Sequence, residues 1–77
     1  MDDNESIRKR IEKDIDLFNK NVIFVKGTDK NTTRILELSK MYAQDSKSFL
    51  DKGDLYTSFS CIGYAHGLLD ALRELQS

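Results

Sequence analysis

An all-α fold, an antiparallel three-helix bundle with a tight C-terminal helical hairpin, is what this sequence predicts. Three observations carry that expectation. Ile7, Ile11, Ile15, Phe18, Val22 and Val25 recur at steps of three and four, which lays them in one stripe on a helix. The segment Phe49-Leu50-Asp51-Lys52-Gly53-Asp54-Leu55-Tyr56 ends one amphipathic pattern and begins another with almost nothing between them. The chain has no proline and no tryptophan, with 39% hydrophobic and 32% charged residues, a mixture suited to compact helices rather than to disorder.

The first helix is expected over about residues 4–25, with Asp3 or Asn4 as N-cap, Glu5 in the first turn, and Lys20 and Lys26 toward the carbonyl end, where positive charge is favoured. Val22, Ile23, Phe24 and Val25 form an apolar run that a strand would also accept, and the unbroken periodicity before them favours helix. Lys26-Gly27-Thr28-Asp29-Lys30-Asn31 is the stretch richest in turn formers, and Gly27 suits a helix stop. The second helix follows over about 30–51, capped by Thr28, Asn31 or Thr32. Its apolar face gathers Ile35, Leu36, Leu38, Tyr42, Ala43, Phe49 and Leu50.

At the hairpin, Gly53 suits the left-handed backbone that closes a helix, and Asp54 can accept from the free amides of the next. The third helix, about 54–75, carries Leu55, Phe59, Ile62, Ala65, Leu69 and Leu72 on one side, extended by Cys61, Tyr64, Leu68, Ala71 and Leu75. An apolar arc that wide has to meet more than one neighbour. The expected core is Ile7, Ile11, Ile15, Phe18, Val22, Ile35, Leu38, Tyr42, Phe49, Phe59, Ile62, Ala65, Leu69 and Leu72. Residues 1–77 read as one helical domain without internal repeats. A core of this size is only marginally stable alone, which makes self-association an expected source of further burial.

Charge and cysteine usage bound the function. Twelve basic and thirteen acidic residues give a net charge of −1, balanced along the chain, so no half is an evident polyanion binder. The lone Cys61 has no disulfide partner, and the first residues lack the basic and apolar regions of a signal peptide, which points to the cytoplasm. No apolar run approaches a membrane span, so no membrane association is expected.

Candidate chemistry is sparse. His66, the single histidine, stands one turn before Asp70, and a bond between them could orient an imidazole. Cys61 lies about 140° around the helix from His66, which rules out an intrahelical dyad. One histidine and one cysteine on different faces do not make a metal site. The expectation is no catalytic residue, no metal and no cofactor. Arg8, Lys9, Arg10 and Lys13 could follow a nucleic acid backbone, although Glu5, Glu12, Asp14 and Asp16 intersperse them as on a solvated helix face.

The oddest choices are Gly63 and Gly67, since glycine inside a helix costs about 1 kcal/mol relative to alanine. With Ala71 they make a strip without side chains, edged by Tyr64 on one side and by His66 and Asp70 on the other. Close packing against the first or second helix is the plainest account. A second subunit, or a ligand or partner protein, would use the same strip.

The runs Tyr42-Ala43-Gln44-Asp45-Ser46, Phe49-Leu50-Asp51-Lys52-Gly53-Asp54 and Phe59-Ser60-Cys61-Ile62-Gly63-Tyr64-Ala65-His66-Gly67-Leu68-Leu69-Asp70-Ala71 resemble the archaeal domain-of-unknown-function family 357. The C-terminal half carries the resemblance closely and the first helix loosely. It implies a small helical bundle in a prokaryotic, archaeal cytoplasm, and brings no assigned activity. More distantly, the Gly-Asp turn and the helix after it are similar to tetratricopeptide hairpins and to the helical domains that accompany minimal nucleotidyltransferases. The arginine that shortly precedes the histidine in ribonucleases of the latter group is missing before His66. The expected function is a non-catalytic protein-interaction or oligomerisation module; the alternative is a nucleic-acid-associated helper using the basic edge of the first helix.

Overall fold

The computed structural model describes residues 3–76, folded as three helices: α1 (Asp3–Val22), α2 (Lys30–Asp51) and α3 (Leu55–Gln76). α3 is the central element, packed most extensively on α2 and next on α1, while α1 and α2 barely touch. α2 runs against both of its neighbours. Tyr42 stacks on Tyr64 and Ser46 bonds Ser58 in an antiparallel register, whereas Arg10 lies over Phe59 and Gln76 reaches the Lys26 carbonyl, so α1 and α3 are parallel.

α1 is shorter than its periodicity suggests. Beyond Val22 the Phe24 and Val25 amides donate to the carbonyls three residues back, Asn21 and Val22, at 3.1 and 3.2 Å, which tightens the chain into turns. Val25 is buried by this fold-back, while Ile23 and Phe24 project into solvent. Gly27 is therefore not a helix stop. A Cβ placed there would stand 2.6 Å from the Thr33 Cα, so the residue is glycine because the loop crosses the first turn of α2 at close range. The cap of α2 is Asp29, rather than Thr28, Asn31 or Thr32: its carboxylate accepts from the Thr32 amide at 2.8 Å while the Thr32 hydroxyl accepts from the Asp29 amide at 3.0 Å, a reciprocal capping box.

The hairpin between α2 and α3 is built as its residues predict. Gly53 has φ +84°, and the amide of Asp54 returns to the Phe49 carbonyl at 2.9 Å. Asp54 accepts from the Thr57 amide at 3.1 Å and opens α3. Arg8 braces the same corner by donating to the Leu50 carbonyl at 3.3 Å, a positive charge at the C-terminus of α2.

The core is Ile11, Phe18, Val25, Leu36, Ala43, Leu50, Ile62, Ala65, Leu69 and Leu72. On α2 it departs from expectation by one helical position. The buried face is Leu36, Ser39, Ala43, Ser46 and Leu50, spaced three and four apart, and Ile35, Leu38, Tyr42 and Phe49 lie half-buried beside it. Ser58 joins this seam from α3. The Ser46 hydroxyl lies 2.8 Å from the Ser58 carbonyl, the Ser58 hydroxyl donates to the Ser46 carbonyl at 2.7 Å, and the two hydroxyl oxygens are 3.1 Å apart. Small polar side chains bonded to the opposite backbone bring the two helices together without orphaning a polar atom. Two expected core residues are exposed: Phe59 sits at the outer α1–α3 edge under the Arg10 guanidinium, and Ile7 stands near the end of the bundle.

Removing one hydroxyl of the seam by Ser46→Ala is expected to cost about 1 kcal/mol, and Ser46→Leu to cost more by forcing the helices apart; urea midpoints at constant slope read both. The two caps give a pH signature. Bonds from Thr57 to Asp54 and from Thr32 to Asp29 hold both carboxyls below their ordinary pKa. Their stabilisation is complete above the ordinary aspartate value of about 3.9 and is lost as pH falls through the lowered folded values. Asp54→Asn, which still caps but does not titrate, is expected to show a smaller loss of stability than wild type between pH 6 and pH 3.

Candidate interaction surface on the third helix

The solvent side of α3 holds the features that the bundle does not use. Gly63 and Gly67 are both exposed, and a Cβ built on either meets no atom within 4 Å. The strip therefore does not pack against α1 or α2, contrary to the plainest expectation. The reason is rotational: Ser58, Ile62, Ala65, Leu69 and Leu72 define the buried face, which places residues 60, 63, 67 and 71 opposite.

The six residues expected on this surface divide three ways. Gly63, Gly67, Asp70 and Ala71 face solvent. Tyr64 leans toward α2, where its ring stacks on Tyr42 with centroids 4.5 Å apart, yet it stays 53% exposed. His66 turns toward α1. Its Nε2–H donates to the Asp14 carbonyl at 2.7 Å and its ring meets Phe18 edge-on at 5.7 Å, so the expected bond to Asp70 is replaced by one that ties α3 to α1. Tyr56, 85% exposed, and Ser60 extend the strip toward the hairpin. The spacing 56, 60, 63, 67 places them on one helix face with the glycines, a signal present in the sequence although neither residue is among those expected at the strip.

Cys61 is half-buried on the α2 side, and burial, reinforced by the charges of Asp45 and Asp54, pushes its thiol pKa up. That disfavours a nucleophilic thiolate. Among the described residues no three His, Cys, Asp or Glu side chains come together as a metal site, and no helix is long and apolar enough to cross a membrane. The basic residues of α1 are dispersed: Arg8 bonds the α2 terminus, Lys9 pairs with Glu5 at 3.8 Å, and Arg10 pairs with Asp14 at 3.3 Å. Lys13 is exposed.

The family described as a protein of unknown function, DUF357, matches residues 13–77. The chain belongs to the DUF357 family. The match takes in the second half of α1, the capped loop, α2, the Gly53-Asp54 turn and α3, so it reaches all three helices rather than the C-terminal hairpin alone. Arg8, Lys9 and Arg10 precede the matched region of this DUF357 protein, whereas all six residues considered for the α3 surface lie within it. No curated protein matches the chain.

Because nothing opposes a side chain at the strip, Gly63→Ala and Gly67→Ala are each expected to stabilise the isolated protein by up to about 1 kcal/mol. Gly27→Ala is expected to destabilise it, since the loop backbone would have to move off Thr33. Thermal and urea denaturation of the three variants reads both signs.

Proposed function

We propose that this protein is a non-catalytic interaction module that offers the outer face of α3 to a partner protein. One observation carries the reading: two glycines sit in the middle of a helix, against open solvent, where they weaken the helix and serve no contact of their own chain. A strip without side chains lets a partner backbone approach closely, and the exposed rings of Tyr56 and Tyr64 border it as aromatic anchors, residues enriched where binding energy concentrates. Asp70 and Ser60 supply a polar rim. The partner that fits is a helix presenting aliphatic side chains to the strip.

The non-catalytic part of the reading draws on His66, committed to a backbone carbonyl, and on Cys61, whose thiol is held protonated. The nucleic-acid alternative has less support, because three of the four basic residues it needs are engaged within the chain. The reading includes a cytoplasmic site of action, which the single free cysteine supports.

Proteins that co-purify from the native cells with wild type, but not with Gly67→Leu, identify the partner, and calorimetry on the purified pair then measures it. Gly63→Leu and Gly67→Leu are expected to weaken binding at least tenfold while circular dichroism shows the helices intact. A partner bound equally well by both variants would remove the α3 strip from the reading.

A further inference from the structure

On the side of the molecule away from the α3 strip, the weak contact between α1 and α2 leaves an open groove of about 820 Å³. Its floor is apolar, formed by Ile15, Phe18 and Val22 of α1 and by Ala43 and Leu50 of α2. The charged residues that line it are sorted by helix. Glu12 and Asp16 form the α1 rim, and Lys40 and Lys47 form the α2 rim. Lys47 also reaches Asp51 on its own helix at 3.3 Å, but among the described residues Glu12, Asp16 and Lys40 are in no ion pair. The groove holds the two rims apart.

We propose that this groove is covered by the same groove of a second copy, in a two-fold dimer. The charge pattern selects both the occupant and the symmetry. Two in-plane axes can bring two such grooves face to face. An axis perpendicular to the helices sets α1 on α1 and α2 on α2, which opposes like charges. An axis parallel to the helices sets each α1 over the partner's α2, so that both acidic rims meet basic ones.

The register agrees with the second arrangement. Arg8 at the level of Leu50 aligns the antiparallel α1 and α2, which brings Glu12 near the height of Lys47 and Asp16 near that of Lys40. A rotation about an axis along the helices preserves heights, so each acid meets a lysine across the interface. The apolar floors then close on each other and complete the burial of Ile15 and Val22, which the monomer leaves half-buried, a gain suited to a chain whose own core is small. The two α3 strips would point outward on opposite sides, and this surface is independent of the one proposed for a heterologous partner.

Charge reversal tests the arrangement by sedimentation and light scattering on the full chain. Wild type is expected at twice the monomer mass, with a dissociation constant that rises with salt. E12K/D16K makes both rims basic and K40E/K47E makes both acidic; each alone is expected to raise the dissociation constant at least tenfold with helicity unchanged. Mixing the two in equal amounts is expected to restore a dimer, which a misfolded variant could not do. A wild type that stays monomeric at millimolar concentration, a dimer indifferent to either reversal, or a mixture that fails to associate would each overturn the proposal. Gly67→Leu leaves the groove intact, so its dimer should persist even if partner binding at the α3 strip is lost, which separates the two surfaces.

Discussion

The reciprocal hydrogen bonding of Ser46 and Ser58 is the contact on which the rest of the bundle depends. Each hydroxyl reaches a backbone carbonyl of the opposite helix, a geometry that only small side chains permit. The result is a close α2–α3 seam in which Ser39, Ala43 and Ala65 also remain small and the larger Leu36, Leu50, Ile62, Leu69 and Leu72 fill the spaces between. Ser39 satisfies its own hydroxyl on the Leu36 carbonyl at 2.7 Å, so the polar atoms of the seam impose no unpaid desolvation. Once that seam is set, the rotation of α3 is fixed, and everything else about its faces follows.

From that rotation come the two surfaces of interest. α3 turns His66 and Phe59 toward α1, takes the Tyr64 ring to Tyr42, and leaves the glycines outward. α1 then docks chiefly on α3 through Ile11, Phe18 and the His66 bond, rather than wedging against α2, which is why a groove persists between α1 and α2. A bundle with one strongly packed pair and one lightly held helix buries a narrow core. It keeps apolar surface available on its flanks, and both proposals draw on that surplus.

The hairpin was legible in the sequence because its information is local. Gly53 and Asp54 answer requirements of backbone dihedral and unpaired amides that hold whatever packs around them. The bounds of α2 likewise follow from patterning and turn residues. The end of α1 was less legible, since Val25 satisfies the helical period yet reaches the core from a turn, and Gly27 answers a contact with Thr33 six residues later. On α2 the apolar face expected from the sequence includes the buried Leu36, Ala43 and Leu50, but hydrophobicity ranks Ile35, Leu38, Tyr42 and Phe49 above Ser39 and Ser46 as core positions. Burial instead went to the side chains that let the helices approach.

By itself, then, the sequence determined three helices, the hairpin that joins the last two, and the presence of two costly glycines with no local purpose. Periodicity, capping and helix propensity are properties of a residue and its near neighbours along the chain. Which face of each helix is buried, what His66 bonds, and whether the glycines meet a neighbour or open solvent were decided only in the tertiary structure. Those outcomes depend on how closely and at what rotation two helices pack, and that is set by small side chains meeting across a seam, a relation between residues far apart in the chain.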